Sequence, residues 1–399
     1  MRNFAFSINK KSNQTIGVVG GGQLARMLAQ AANKRDIELI VQTGSRTDSA
    51  VSEASGFVHS DIEDLNGTKE LASKCKCLTF ENEWIDIDSF LDLELQGTSF
   101  IPSLKAMTPL VDKISQRKLL NNLNIPCPDW VIASSFKIND LELPTGWRFP
   151  LMAKSGQGGY DGKGTKVIND FKDLKDLLIA CNPKNWLLER WVDYKKELAL
   201  VISRDMEGKI NSFPLTETYQ YKQVCNWVLS PADVSHQVEN MAFNVGASLL
   251  RELDYVGVLA IEFFFGVDGL LVNEIAPRTH NSAHFTIDVC TSSQFDQQVC
   301  IAAGLSAPQI ELKVPGALMI NLLGLPSEMN DSRERLQELT KINTAKIHWY
   351  AKDVETPGRK LGHLTLPLHE TDKTLRRAKA LDQLRKIRSI WPIYVPEID

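Results

Sequence analysis

The 399-residue chain has no apolar run approaching the roughly 18 residues that a membrane-spanning helix needs, and its first residues lack the apolar segment of a secretory signal. Its net charge is only −4, so no global field favours nucleic acid or an anionic membrane as a partner. The seven cysteines are scattered without zinc-site spacing, which indicates reduced thiols. We therefore expect a cytoplasmic protein that binds neither nucleic acid nor membranes.

The length predicts two or three domains, because domains of about 150 residues are common. Apolar residues make up 43% of the chain and charged residues 24%, which is ordinary for a globular protein with a sizeable core. Composition shifts along the chain predict a disordered extension over residues 1–14. Domains are then expected over residues 15–112, 113–312 and 313–399.

A glycine turn lies near the start of the first domain. The apolar run Thr15–Val19 leads into Gly20–Gly22, and a helical pattern over Gln23–Lys34 precedes a second apolar run, Ile37–Val41. This order predicts a β-α-β unit in a parallel sheet, with a helix N-terminus suited to a phosphate. No carboxylate ends the second run, which argues against a nicotinamide dinucleotide. A smaller phosphorylated ligand and a tight turn without ligand both remain open.

A second glycine-rich segment begins at Lys154, at the end of a predicted strand. Five glycines follow up to Gly164, interleaved with Tyr160, Asp161 and Lys163. Lysine offers a compact charge to a nucleotide phosphate, and a glycine loop can close over it. The loop lacks the G-K-[ST] ending of a Walker A motif.

Two apolar strand patterns each contain one acid, Glu262 in the first and Glu274 in the second. Burying an unpaired carboxylate is costly, and Mg²⁺ prefers oxygen ligands, so these acids form a candidate magnesium site next to a triphosphate. A buried salt bridge is the structural alternative. The polar residues Arg278, His280 and Asn281 follow at once and suit an anionic intermediate.

Further apolar runs predict strands, and periodic segments predict helices. The predicted strands are Cys77–Phe80, Leu151–Lys154, Trp186–Glu189, Leu198–Ser203, Gly257–Phe265, Leu270–Asn273, Ala317–Leu322 and Ala345–Tyr350. The predicted helices are Lys113–Leu123, Leu174–Ile179, Met241–Leu253 and Arg376–Arg388. The last helix is basic and amphipathic, and we expect its charges to be solvated.

Together and in this order, the motifs resemble the ATP-grasp superfamily and, within it, the N5-carboxyaminoimidazole ribonucleotide synthase family. The resemblance runs from about Thr15 to the last strand of the chain. The matching strings are G-G-G-Q-L-A-R-M-L at Gly20–Leu28, F-E-N at Phe80–Asn82, G-G-Y-D-G-K-G at Gly158–Gly164, V-N-E-I-A-P-R-T-H-N-S-A-H at Val272–His284, S-S-Q-F at Ser292–Phe295 and G-R-K-L-G-H at Gly358–His363. The resemblance implies a mixed α/β and α+β fold, in which an ATP-grasp domain follows an N-terminal Rossmann-like (pre-ATP-grasp) domain and precedes a small β-rich C-terminal domain.

The resemblance also assigns site residues by position. It implies ATP contacts for Lys113, Lys154, Gly159, Tyr160, Asp161, Gly162, Lys163, Gly164, Thr165, Glu189, Arg190, Trp191, Val192, Glu197, Gln220, Asn273 and Glu274. It implies ribonucleotide contacts for Gln23, Leu24, Glu81, Tyr160, Asp161, Lys352, Arg359 and Lys360. It implies Mg²⁺ ligation by Glu262 and Glu274, and catalytic roles for Asp161, Arg278, His280, Asn281 and Lys352. This chain has Lys113 where the family usually has arginine, and Gln220 where histidine is common.

The implied activity is an ATP- and Mg²⁺-dependent carboxylation of 5-aminoimidazole ribonucleotide with bicarbonate, through carboxyphosphate, in purine biosynthesis. The implied partners are these substrates, a second copy of the chain and a downstream mutase. Another ATP-grasp ligase, such as the formate-using glycinamide ribonucleotide transformylase, is an alternative, as is a non-catalytic nucleotide-binding module. Retention of both Glu262 and Glu274 argues against the module.

Overall fold

The computed structural model describes residues 14–159, 164–329, 331–352 and 354–394, so nearly all of the expected extension at residues 1–14 lies outside the described residues. The first region is a four-stranded parallel sheet with the order β3-β2-β1-β4. Its strands are β1 Ile16–Val19, β2 Leu39–Thr43, β3 Gly56–His59 and β4 Cys77–Phe80. The accompanying helices are α1 Gln23–Asn33, α2 Leu65–Lys74, α3 Ile87–Leu95 and α4 Leu104–Met107. The predicted β-α-β unit is confirmed.

Helix α1 follows its sequence pattern closely. Leu24, Met27, Leu28 and Ala31 recur at helical spacing, and all four are buried in one core with the strands of the parallel sheet. Phe295, from much later in the chain, belongs to the same core. Burying a leucine, methionine or phenylalanine side chain stabilises the fold by roughly 1.5–3 kcal/mol. The first region is therefore packed against the second half of the chain.

The second region is a smaller antiparallel sheet with the order β5-β8-β6-β7. Its strands are β5 Trp130–Ile132, β6 Leu151–Ser155, β7 Thr165–Ile168 and β8 Trp186–Arg190. Helix α5 Lys113–Asn122 precedes this sheet, and helix α6 Phe171–Ala180 packs on it. The glycine-rich segment connects β6 to β7, where the sequence predicts a loop.

The third region is a nine-stranded sheet with the path β14-β13-β9-β11-β12-β15-β17-β16, on which β10 pairs with β9. Its strands are β9 Tyr194–Arg204, β10 Ile210–Ser212, β11 Thr216–Tyr221, β12 Val224–Ser230, β13 Gly257–Gly266, β14 Gly269–Ala276, β15 Gly316–Leu323, β16 Lys346–Trp349 and β17 Lys360–Leu368. The helices are α7 His236–Glu252, α8 Thr286–Val289, α9 Gln294–Ala302, α10 Ser332–Thr340 and α11 Lys373–Ile390. Because β12 pairs with β15, the sheet continues across residue 312. The domain boundaries at 112 and 312 stay a prediction.

The last helix corrects one expectation. We expected the charges of Arg376–Arg388 to be solvated, but Arg376 is buried and Arg377 forms an ion pair with Glu217 of β11. Arg388 donates hydrogen bonds to Asn226 of β12. These partners lie on strands far away in the sequence, so local charge patterning could not reveal them.

No helix within the described ranges is long and apolar enough to cross a bilayer.

Candidate active site

Two acids lie directly opposite each other on neighbouring strands. Glu262 of β13 pairs in register with Glu274 of β14, and a bulge follows Glu262. Burial, with the nearby charges of Glu274 and Glu197, raises the pKa of Glu262 to about 7. Burial opposes ionisation of Glu274 as well, but contact with Lys113 lowers its pKa below the usual value. The structure therefore brings together the two predicted metal ligands.

Both predicted phosphate lysines lie beside these acids. Lys113, the first residue of α5, contacts the Glu274 carboxylate through Nζ. Lys154 of β6 donates to Asn273 Oδ1 at 2.9 Å and lies 2.7 Å from a Glu189 oxygen. Asp112 caps the N-terminus of α5 and so fixes the position of Lys113, the first residue of the helix. A small helix and two sheets thus converge on one cluster of charges.

The Glu189 carboxylate, which belongs to a segment predicted to contact the nucleotide, is paired with two cations of the protein. It is 2% exposed and forms ion pairs with Lys154 and Arg117, at 2.7 and 2.6 Å. Its side chain is therefore a buried counter-ion of Lys154, and its backbone is paired with strands β5 and β6 on either side. Sequence reasoning missed Arg117, although it lies one helical turn after Lys113, on the same face of α5.

The remaining nucleotide candidates lie at the edge of this cluster. Glu197 accepts a 2.5 Å hydrogen bond from Tyr194, and the Gln220 side chain also bonds to it. Burial raises the pKa of Glu197 above its usual value. Arg190 pairs with Asp129 at 3.0 Å. Trp191 is exposed and Val192 is half-buried. The structure thus brings Glu197 and Gln220 together and directs Arg190 to the surface.

The base of the glycine loop is well defined. Ser155 donates to the Gly164 carbonyl at 2.7 Å, and Lys113 donates through its backbone to the Gly156 carbonyl at 2.8 Å. Gly164 has a φ of +74°, and a Cβ there would lie 3.1 Å from the Gly159 Cα, so glycine is required. Thr165 bonds to Gln223 of the turn between β11 and β12. The predicted residues Tyr160, Asp161, Gly162 and Lys163 lie outside the described residues.

A polar loop follows β14 and contains three predicted catalytic residues. Arg278 forms a two-point ion pair with Glu83, an acid that the sequence analysis did not single out. His280 bonds through Nδ1 to Ser282 at 2.9 Å, and its Nε2 lies 3.6 Å from Glu262 Oε1. The Asn281 amide is buried, and neither Nδ2 nor Oδ1 has a partner within the described part of the chain. This amide is therefore suited to a small polar ligand.

The glycine turn before α1 is occupied by a protein side chain. The Glu81 carboxylate accepts from the backbone amides of Gly22 at 2.7 Å and Leu24 at 3.0 Å, so it caps the helix. A Cβ on Gly22 would lie 2.6 Å from Glu81 Oε1, and one on Gly21 would lie 2.5 Å from the Thr43 Cβ. The glycines are thus explained by close approach of the protein itself. The backbone amides of Gly22 and Leu24 are therefore already bonded to a protein carboxylate.

The last third of the chain contributes lysines to the same end of the molecule. Lys352 donates from Nζ to Gln23 Oε1 at 3.0 Å, which unites two predicted ribonucleotide contacts. The charge of Lys360 is near enough to lower the pKa of Glu262. Arg359 is exposed and donates to the Val354 carbonyl of its own turn, so the structure does not bring it to the others.

These features are those expected of an ATP-grasp enzyme: two sheets flank a cluster that holds the predicted phosphate lysines and two opposed acids. Residues 118–295 match the ATP-grasp domain, residues 13–109 the ribonucleotide synthetase pre-ATP-grasp domain, and residues 317–377 the phosphoribosylaminoimidazole carboxylase C-terminal domain. The chain is 40% identical over 379 residues to the N5-carboxyaminoimidazole ribonucleotide synthase of Synechococcus elongatus, covering 95% of this chain and 96% of that one. It therefore belongs to the N5-carboxyaminoimidazole ribonucleotide synthase family, and the predicted fold and family are confirmed.

Solved structures show the same similarity. The N5-carboxyaminoimidazole synthetase of Staphylococcus aureus complexed with ADP is 29% identical, with a TM-score of 0.81 over 94% of this chain and 96% of that one. The Aspergillus clavatus enzyme in complex with ADP and 5-aminoimidazole ribonucleotide is 27% identical, with a TM-score of 0.84 over 95% and 98% of the two chains. The chain is accordingly an ATP-dependent ligase of this family.

Proposed function

We propose that this chain carboxylates 5-aminoimidazole ribonucleotide with bicarbonate and ATP, giving N5-carboxyaminoimidazole ribonucleotide, ADP and phosphate. The position of Glu262 carries the proposal. It lies opposite Glu274, which Lys113 contacts, and it faces His280 at 3.6 Å and the charge of Lys360. Residues predicted for the ATP, bicarbonate and ribonucleotide subsites therefore lie near the same pair of acids, which supports the proposal.

The residues at this junction fit a magnesium ion. Glu262 and Glu274 offer carboxylate oxygens from one register position, and the Asn273 amide oxygen beside them accepts a hydrogen bond from Lys154. Mg²⁺ prefers such oxygen ligands together with phosphate oxygens. The raised pKa of Glu262, about 7, reflects burial next to a second acid, and a divalent cation favours the charged forms of both. When bound, the ion supplies positive charge to the transferring phosphoryl group.

The protein residues account for the first step. Lys113 and Lys154 hold phosphate oxygens of ATP while a bicarbonate oxygen attacks the γ-phosphorus, and the bond to the departing ADP oxygen breaks. Carboxyphosphate forms next to His280 and the Asn281 amide, which has no partner among the described residues and offers both a donor and an acceptor. The resemblance implies that the glycine loop between β6 and β7 excludes water. This exclusion protects the intermediate from hydrolysis.

The second step joins carbon and nitrogen. The exocyclic amine of the ribonucleotide attacks the carboxyl carbon, phosphate leaves, and the nitrogen loses a proton. Lys352 and Gln23, held together at 3.0 Å, orient the ribonucleotide with Glu81. Asp161, outside the described residues, stays our candidate for receiving the proton or orienting the amine.

ADP release tests the proposal directly. We expect release that requires 5-aminoimidazole ribonucleotide together with bicarbonate, and none with glycinamide ribonucleotide and formate. Release with the second pair alone would assign the chain to a different ATP-grasp reaction. No release with either pair, from folded protein that binds ATP, would favour a non-catalytic module.

The resemblance supports three further proposals about the chain in the cell. We propose a cytoplasmic homodimer whose unstable product is consumed by a mutase. Sedimentation of the purified protein tests the dimer. A coupled assay with and without a mutase tests whether the product is captured before it decomposes.

A further inference from the structure

Helix α9 begins with an unusual set of buried amides. Gln294 and Gln297 are 0% exposed and Gln298 is 3% exposed. A buried amide without hydrogen bonds costs roughly 1–3 kcal/mol, yet each of these side chains bonds to several groups. None of them is among the predicted site residues.

Gln294 holds the backbone of a single residue, His280. Its Oε1 accepts from the His280 N–H at 2.7 Å, and its Nε2 donates to the His280 carbonyl at 2.7 Å. Two bonds of opposite polarity to one residue fix both its position and its orientation. They also fix the amide, because exchanging oxygen and nitrogen would break both bonds.

The same amide donates to His284 Nδ1 at 3.1 Å. Since the donor is the amide nitrogen, His284 Nδ1 must accept, so the imidazole is neutral with its proton on Nε2. Burial lowers the pKa of His284 well below its usual value, and the nearby charges of His280, Lys360, His348 and Arg278 lower it further. The neutral ring is thus a constant acceptor that locks the Gln294 side chain.

The start of α9 is itself held in place. Ser293 and Asp296 form a reciprocal capping box. Gln298 accepts from the Val258 N–H of β13 at 2.8 Å and donates to Thr79 of β4 at 2.9 Å. Strand β13 contains Glu262, and β4 leads into Glu81. Helix α9 therefore fixes the position of His280 relative to Glu262, a predicted metal ligand, and to Glu81, a predicted ribonucleotide contact.

We propose that Gln294 and His284 are positioning residues that place His280 against the bicarbonate-derived group, and so couple ATP cleavage to carboxylation. The proposal rests on the proposed function. Both side chains act through His280, whose backbone Gln294 holds while His284 holds Gln294. Misplacing a catalytic group by about 1 Å lowers rates by roughly 10²-fold. A displaced His280 should leave ATP cleavage more intact than transfer of the carboxyl group.

Gln294→Met tests the clamp, because methionine has a similar length but no amide. We expect a bicarbonate KM raised about tenfold, an ATP KM within about twofold of wild type, and more than one phosphate released per ribonucleotide carboxylated. Gln309→Met, at an exposed glutamine, is the matched control. It should still release one phosphate per ribonucleotide carboxylated. Thermal unfolding of each variant shows whether it is folded.

A second pair of variants distinguishes positioning from packing. His284→Asn retains an acceptor close to Nδ1, whereas His284→Leu does not. The asparagine variant should keep the phosphate-to-product ratio near one, and the leucine variant should raise it as Gln294→Met does. Folded variants that all keep wild-type coupling and bicarbonate KM would overturn the inference. If wild type itself lacks bicarbonate-dependent ADP release, the proposed function fails instead.

Discussion

The ATP end and the ribonucleotide end of the site are built in contrasting ways. At the ATP end, the charges lie on strands and on the first turn of a helix, and they are buried or half-buried and already paired. Lys154, 8% exposed, contacts Glu189, and Lys113 contacts Glu274. At the ribonucleotide end, Gln23 and Lys352 come from positions 329 residues apart in the sequence, and Arg359 is exposed.

The contrast separates two kinds of dependence. Each buried charge at the ATP end is the counter-ion of another, so removing one leaves a partner unpaired and disturbs both chemistry and stability. The ribonucleotide end depends on how the first and last regions of the chain meet. Gln23 and Lys352 are half-buried and Arg359 is exposed, so a substitution at one of these three should change affinity and leave the fold intact.

The largest effect is expected for Glu274→Gln. The change removes one of the two opposed acids and the counter-ion of Lys113, while keeping shape and hydrogen bonding. We expect the fold to persist and turnover to fall by about 10³-fold, since charge stabilisation of the transferring phosphoryl group is lost. Steady-state ADP release measures this, with Glu252→Gln as an exposed control. Normal turnover would remove Glu274 from the metal site.

Lys154→Met should lower both activity and stability. Loss of the phosphate contact should reduce kcat/KM for ATP by about 10²-fold. Glu189 keeps Arg117, at 2.6 Å, so the cost in unfolding free energy should be only about 1–3 kcal/mol. Urea unfolding and ATP kinetics measure the two effects. Lys118→Met, on the exposed side of α5, is the control. Unchanged stability would show that the Lys154–Glu189 pair is not coupled to the fold.

Of the two KM values, Lys352→Met should change only the one for the ribonucleotide. Its Nζ contacts Gln23, and the side chain is half-buried, so little stability depends on it. We expect the KM for 5-aminoimidazole ribonucleotide to rise about tenfold, with the ATP KM unchanged. Lys346→Met, at the exposed first position of β16, controls for the lost charge. An equal rise in both KM values would contradict the separation of the two ends.

The same contrast decides what the sequence could reveal. Glu262 and Glu274 were predictable, because an acid in each of two apolar strands is a local pattern. Arg117 could also have been found, since helical spacing places it near Lys113. The capping of the Gly22 turn by Glu81 could not, because the two are joined only by the fold. Pairing of β12 with β15 is likewise a contact between distant segments.

The smallest effect is expected for Arg377→Met, which lies outside both ends of the site. Arg377 donates to both Glu217 oxygens, at 2.8 and 2.7 Å, and joins α11 to β11. Glu217 keeps Lys196 as a partner, and Arg377 is partly exposed, so the loss should be only about 0.5–1 kcal/mol. Urea unfolding measures it, with exposed Arg385→Met as the control. The KM values for ATP and for the ribonucleotide should stay unchanged, because this ion pair joins α11 to the sheet and includes no predicted site residue. A change in the ATP KM alone would mean that α11 supports the ATP end, so the two ends would differ in their distant supports as well as in their own charges.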